Sequence, residues 1–147
     1  MGLSASTHLE SVRQIVGEWA STTSPLRLEL NRVTIFSVPS QVVIIKVRKT
    51  PELFRALTTL RDRAQQGRLG VLDNIATAEW VFHMSVAYCA SLDAASWAEV
   101  SRFAETVSVP QAQGTIREVE IAAFDHGREY SGGTFELSAR TDNTLTI

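Results

Sequence analysis

The stretch LRLELNRVTIFSVPSQVVIIKV, residues 26–47, contains two apolar segments separated by a short turn sequence. Residues 26–36 alternate between apolar and polar side chains, which is typical of a half-buried strand. Residues 41–47 are rich in valine and isoleucine, as in a more fully buried strand. The VPS sequence between them favours a turn. The stretch therefore predicts a β-hairpin.

The sequence on either side of this hairpin predicts further helices and strands. Before it, apolar residues at helical spacing predict a helix near residues 8–20. After it, Thr50 and Pro51 form a helix start, and leucines at helical spacing extend that helix to about residue 66. Beyond a loop at 67–79, the patterns predict a strand at 81–88, a helix at 91–107 with Val100 and Phe103 facing inward, a strand at 115–125, a turn, and a final strand at 134–139.

This order predicts an α+β fold and an internal repeat. The second half has the order strand, helix, strand, strand, and the first half matches it if one strand is lacking before the first helix. We therefore predict a single two-lobed domain over residues 1–147, with lobe one at about 1–48, a crossing helix at 51–66 and lobe two at about 80–140. The first lobe then lacks its first strand, because the chain is either a shortened form of a longer protein or a natural relative that has lost this strand.

The composition excludes several classes of protein. Hydrophobic residues make up 44% of the chain and charged residues 20%, and the net charge is −2, so no strong basic field attracts a long nucleic acid. The one cysteine, Cys89, cannot form an internal disulfide. The longest apolar runs are too short to span a membrane, and the amino terminus lacks the pattern of a secretory signal. We expect a cytoplasmic protein.

The segment WVFHMSVAYC, residues 80–89, places a titratable imidazole in a predicted strand. Because side chains alternate along a strand, His83, Ser85 and Ala87 share one face. The opposite face carries large apolar residues that we expect to pack on a hydrophobic core, namely Phe82, Met84, Val86 and Tyr88. Histidine transfers protons near neutral pH, and a serine hydroxyl beside it can donate a hydrogen bond to a phosphate oxygen. The alternative is a half-exposed histidine that only water or a neighbour satisfies.

The sequence His83-Met84-Ser85-Val86-Ala87-Tyr88, followed by a loop and an amphipathic helix, resembles a signature of the two-histidine phosphoesterase superfamily. That superfamily includes the 2′-5′ RNA ligases and the 2′,3′-cyclic phosphodiesterases, and a proline often stands where this chain has Phe82. The predicted hairpins and the crossing helix also resemble this family. The resemblance implies two antiparallel β lobes with flanking helices around a central groove, and metal-independent chemistry without a cofactor. It implies a catalytic role for His83 and phosphate binding by Ser85.

The family pattern has two such motifs, and this sequence contains one. His8 stands at a predicted helix start and His126 in a turn, so neither matches. We therefore expect weak or absent hydrolysis of 2′,3′-cyclic phosphates, or weak or absent 2′-5′ ligation of RNA ends. The lacking strand would leave a sheet edge open, which predicts a homodimer through that edge.

Two aromatic residues are candidates for binding a small phosphoester or an RNA end. Trp80 lies just outside the motif strand and is a candidate for stacking on a base, with packing as the alternative. Tyr88 falls on the core face by alternation, but its hydroxyl lies near the strand end. Lys46, Arg117 and Arg128 carry positive charge that nothing in the sequence orients. The other functions left open are a non-catalytic nucleotide- or protein-binding module and a plain structural domain.

Overall fold

The computed structural model describes residues 5–70 and 75–139. The helices and strands follow the predicted order closely, and a short 3₁₀ turn at Thr77–Glu79 precedes β3. Their bounds are α1 Ala5–Ser21, β1 Leu26–Phe36, β2 Val42–Val47, α2 Pro51–Gln66, β3 His83–Tyr88, α3 Ala94–Thr106, β4 Gln113–Ile116, β5 Glu118–Asp125 and β6 Arg128–Glu136. None of the helices in this part of the chain is long and apolar enough to cross a membrane.

The strands form two sheets, which confirms the predicted α+β class. One sheet has four strands in the order β3-β2-β1-β4, and the other pairs β5 with β6. The β1–β2, β2–β3 and β5–β6 pairs are all antiparallel. The predicted hairpin of residues 26–47 is therefore confirmed, and its second strand also pairs with the strand that contains His83.

The chain divides into two compact units that each draw on distant segments. The first unit takes its described residues from Met1–Arg27, Pro51–Thr77 and Thr115–Ile147, and the second from Leu28–Thr50 and Ala78–Gly114. The second unit therefore joins most of the first hairpin to β3 and α3. These boundaries differ from the consecutive lobes expected from the sequence, because β2 pairs with β3 across the intervening α2.

Each unit has its own buried residues. In the first unit α1 and α2 pack together, and the indole N–H of Trp19 donates hydrogen bonds to the Ala56 carbonyl oxygen at 3.0 Å and to Thr59 Oγ1 at 3.2 Å. In the second unit Ile44 is fully buried. The remaining buried apolar residues of this unit are Val42, Val47, Cys89, Trp97 and Ala104.

Two local signals set the helix starts, and one expectation about α3 is wrong. Pro51 begins α2, as predicted, because its fixed φ suits the first helical turn. Asp93 caps α3, and its side chain accepts a hydrogen bond of 2.8 Å from the Ser96 amide. Of the residues expected to face inward on α3, Phe103 is 70% exposed, since Trp97 and Ala104 form the buried side of that helix.

The carboxyl-terminal strands differ from the prediction in two ways. The expected strand at 115–125 is interrupted at Arg117, because β4 belongs to the four-stranded sheet and β5 to the other. The final strand begins at Arg128 rather than at residue 134. The turn is only His126 and Gly127, both with positive φ, which is the conformation that tight hairpin turns favour.

Candidate functional site

The motif strand β3 is an end strand of the four-stranded sheet and contains a bulge. Along β3 and β2, Ala87 lies opposite Val43 and Ser85 opposite Ile44, so Val86 is one extra residue without its own partner. A bulge of this kind shifts the alternation of side chains beyond it. His83, Ser85 and Tyr88 therefore lie opposite Lys46, Ile44 and Val42, which are alternate residues on one face of β2. This face is called the His83 face below.

Two expectations about the side chains of β3 are wrong. Tyr88 was expected on the core face and instead shares a face with His83. The apolar residues of β3 were expected to pack on a core, but Met84 is 48% exposed, Val86 59% and Tyr88 79%. An end strand has a neighbour on one side only, so its side chains lose less contact with solvent than those of a central strand.

The imidazole of His83 is exposed and held by two contacts within its own unit. Its Nδ1 lies 2.9 Å from the Val81 carbonyl oxygen. A carbonyl oxygen only accepts hydrogen bonds, so Nδ1 carries the proton and, in the neutral ring, Nε2 keeps its lone pair. The ring of Phe36 meets the imidazole edge-on, with ring centroids 4.8 Å apart and an interplanar angle of 82°. These contacts orient an imidazole whose Nε2 is available to accept a proton.

Ser85 lies beside His83 with its hydroxyl exposed. Two positions along a strand correspond to about 7 Å between Cα atoms. Thr34 of β1 and Ser85 lie on either side of Ile44 in the register, so two hydroxyl residues flank the buried Ile44 on the His83 face. Hydroxyl groups are donors suited to phosphate oxygens.

Two cations extend the site across the sheet. Arg32 of β1, Lys46 of β2 and His83 of β3 lie directly opposite one another in a row on the His83 face. Among the described residues, neither Arg32 nor Lys46 has a carboxylate partner. The sequence identified Lys46 without orienting it and missed Arg32. If the two strands of the hairpin are paired outward from the turn, starting with Phe36 opposite Val42, Arg32 falls opposite Lys46. The sequence alone could therefore have located Arg32.

Trp80 lines a cavity of about 520 Å³ in the second unit, immediately before β3. Trp80, Val81 and Phe82 line this cavity, and Phe82 directly precedes His83 in the sequence. Trp80 is half-buried. The other residues that line this cavity are Asn31, Lys46, Val47, Arg48, Lys49, Ala78 and Glu79. Trp80 therefore lies just before the end of β3 that holds His83, whereas Tyr88 lies at the opposite end of this strand.

The other two histidines lie in different surroundings. His8 is exposed on α1. His126 is in the β5–β6 turn, where its Nδ1 lies 2.6 Å from Oδ1 of Asp125. Neither is followed by a hydroxyl residue two positions later on a strand, so His83 and Ser85 form the one copy of the motif in this sequence.

Comparisons with known proteins agree with this fold. Residues 2–128 match the model of the 2′-5′ RNA ligase superfamily, and because this match covers most of the chain, the protein belongs to that superfamily. The predicted membership of the two-histidine phosphoesterases is thus confirmed.

The crystal structure of E. coli LigT complexed with NADP⁺ is similar in fold. Its TM-score is 0.54 at 16% sequence identity, over 92% of this chain and 70% of that chain. At this identity the likeness concerns the fold alone. No curated protein matches the sequence.

Proposed function

We propose that the protein binds phosphoesters of RNA ends or cyclic nucleotides on the His83 face. The observation that carries this proposal is the oriented imidazole of His83, with Nε2 available and the Ser85 hydroxyl beside it on an exposed strand. A ligand phosphate would accept a hydrogen bond from Ser85 and, when the ring of His83 is protonated, a second one from its Nε2. Trp80 and Tyr88 are the proposed residues for further contacts with the ligand.

The proposed chemistry is hydrolysis of a 2′,3′-cyclic phosphate, or formation and cleavage of a 2′-5′ link, at a low rate. In the hydrolysis, a water oxygen forms a bond to phosphorus and loses a proton, while the P–O bond to one ribose oxygen breaks and that oxygen gains a proton. His83 is suited to one of these proton transfers. A missing second general acid or base lowers the rate by about 10²–10⁴-fold, so turnover is weak or absent.

A non-catalytic binding module is the second candidate function. The observation that favours it is the single copy of the motif, because one imidazole and one hydroxyl bind an anion without a partner for the second proton transfer. This module would recognise the same phosphoester on the His83 face.

Both candidates are tested by following the histidine ring signals by NMR during titration with adenosine 2′,3′-cyclic monophosphate. We expect the signal of His83 to move and those of His8 and His126 to stay. Product formation, followed by ³¹P NMR, separates the candidates, because turnover that is lost in His83→Ala and kept in His126→Ala supports the enzyme. A response without turnover supports the binding module, and no response at His83 contradicts both.

The homodimer is a separate proposal that concerns the β5–β6 sheet. Within the described residues this sheet has two strands, so each has an edge that another strand can pair with. Light scattering coupled to size-exclusion chromatography should give twice the mass of the chain, and a monomer at micromolar concentration would contradict this proposal.

A further inference from the structure

We infer that Arg32, together with the neighbouring cavity beside Trp80, forms a second subsite for a nucleotide phosphate and its base, and that Lys46 lies between this subsite and the phosphate at His83. This inference rests on the proposed function, since it takes the reacting phosphate to lie at His83 and Ser85. It narrows the ligand to a chain of at least two nucleotides. A cyclic mononucleotide alone would leave the second subsite empty.

The spacing of the row separates two roles for its cations. Lys46 lies directly opposite His83, with Cβ atoms about 5 Å apart, so its ammonium reaches a phosphate held at His83. Arg32 lies one strand further, about 10 Å from His83 across the sheet. That separation is too large for a second contact to the same phosphate oxygens, and it suits the next phosphate along a nucleotide chain.

The charged residues that line the cavity differ in how available they are to a ligand. Arg48 is paired with Glu29 at 3.0 Å, and Lys49 donates a hydrogen bond to the Ala78 carbonyl oxygen. Lys46 has no such partner among the described residues, so it is the cation most available to an anion. Glu79 also lines the cavity, and its carboxylate repels phosphate but accepts hydrogen bonds from the N–H groups of a base.

The shape and lining of the cavity fit a stacked base. Its volume of about 520 Å³ lies within the range of small-molecule sites. Trp80 offers an indole face, on which a base can stack. Asn31 is the extra residue of a bulge in β1, between Leu30 opposite Val47 and Arg32 opposite Lys46, and its amide lines the same cavity.

Binding of three probes tests the subsite. The probes are adenosine 2′,3′-cyclic monophosphate, a diadenosine with a 2′,3′-cyclic end, and the same diadenosine with an uncharged methylphosphonate linkage. We expect the charged dinucleotide to bind about tenfold or more tightly than the mononucleotide, as one charge-assisted hydrogen bond implies. The uncharged dinucleotide should lose most of this gain.

Variants of single residues show which side chains cause the tighter binding of the charged dinucleotide. Arg32→Gln should weaken binding of the charged dinucleotide about tenfold and leave the affinity for the mononucleotide unchanged. The slope of log K against log salt concentration for the charged dinucleotide should become smaller in magnitude by about 0.7–1. Arg102→Gln, an exposed arginine on α3, is the matched control and should change nothing. Trp19 and Trp97 are buried, so ligand quenching of tryptophan fluorescence should come from Trp80 and disappear in Trp80→Phe.

The outcomes distinguish this subsite from the proposed function. Equal affinity for the mononucleotide and the charged dinucleotide, with a response at His83, overturns the subsite and keeps the function. Quenching of Trp80 by the dinucleotide without a response at His83 contradicts the function and overturns the subsite too, because the first phosphate is then not held at His83. If no probe binds, both are overturned.

Discussion

His83 and Tyr88 lie on the same face of β3, although strict alternation would place them on opposite faces. The extra residue Val86 causes this change, because it has no partner on β2 and shifts every later side chain to the other face. The exposed phenol of Tyr88 is thereby placed on the face that carries the imidazole.

Tyr88→Ala should weaken phosphoester binding with little effect on folding. Its side chain is 79% exposed, so the free energy of unfolding should change by less than about 0.5 kcal/mol. Ile44→Ala is the contrasting variant, because it removes a fully buried side chain and should cost about 2–5 kcal/mol. Urea unfolding gives the stabilities and calorimetry the affinities. Unchanged affinity in Tyr88→Ala would show that its position on this face serves no ligand.

The neutral ring of His83 should carry its proton on Nδ1. The Val81 carbonyl oxygen at 2.9 Å accepts a hydrogen bond from that atom and so selects this tautomer. The ¹⁵N chemical shifts of labelled histidine distinguish the two ring nitrogens, and the exposed His8 serves as the reference. A proton on Nε2 of His83 in the free protein would contradict the site geometry.

Trp19→Phe should destabilise the protein more than Trp80→Phe. Trp19 is 5% exposed and donates to the Ala56 carbonyl oxygen and the Thr59 hydroxyl. Losing these bonds and part of a buried ring should cost about 1–3 kcal/mol. Trp80 is half-buried, so its replacement should cost less. Equal midpoints for the two variants in thermal unfolding would refute this ranking.

Two glycine substitutions test the bulge in β6, where Gly132 is the extra residue between Ser131 opposite Ala122 and Gly133 opposite Ile121. A Cβ added at Gly132 would lie 2.7 Å from Cγ2 of Ile121 and 3.2 Å from its carbonyl oxygen, so Gly132→Ala should cost about 1–3 kcal/mol. Nothing lies within 4 Å of a Cβ at Gly114, so Gly114→Ala should not destabilise. Denaturant midpoints compare them, and a tolerated Gly132→Ala would mean that β6 is packed differently.

Asp93 should make the stability of the protein depend on pH in the acid range. Hydrogen bonds from Ser96, the backbone amide first, lower the pKa of its carboxyl below the ordinary value. The charged cap therefore stabilises the fold above the unfolded pKa, and this contribution is lost as the pH falls through the folded pKa.

Asp93→Asn keeps a capping side chain that does not titrate. The difference in free energy of unfolding between the native protein and Asp93→Asn should therefore shrink as the pH falls from above the ordinary pKa of a carboxyl through the lowered pKa of Asp93. Asp93→Ala removes the cap and should be the less stable variant throughout. A constant difference between the native protein and Asp93→Asn would contradict the cap.

Local patterns predicted the elements well, and pairing between distant segments limited the rest. The bounds of β1 and α2 are those expected from alternation and from Pro51, because these signals lie within the elements themselves. The bulge at Val86 has no such signal, since a valine suits a regular strand equally well, and only the register against β2 reveals it. The face on which Tyr88 lies therefore could not be predicted. The exposure of Met84 could not be predicted either, because the position of β3 at the end of the sheet depends on its pairing with β2.

The candidate site could be predicted only in part, because its residues also come from separate strands. His83 and Ser85 were identified from their spacing and from the family resemblance. Arg32 was missed because a basic residue in an alternating strand resembles any solvated position until its neighbours are known. The break at Arg117 was missed because the pattern of residues 115–125 continues across a change of sheet. The catalytic role of His83 and the cytoplasmic location stay predictions.

Helix α1 forms hydrogen bonds with residues that come more than 100 positions later in the chain. Arg13 donates a hydrogen bond to the Gly132 carbonyl oxygen 119 residues later, and the Ser138 amide donates to the Ala20 carbonyl oxygen. On a ribosome that adds 5–20 residues per second, α1 waits roughly 6–24 s for β6 to be synthesised. During translation, the side of α1 that contacts β6 therefore stays uncovered until the last strand has been made.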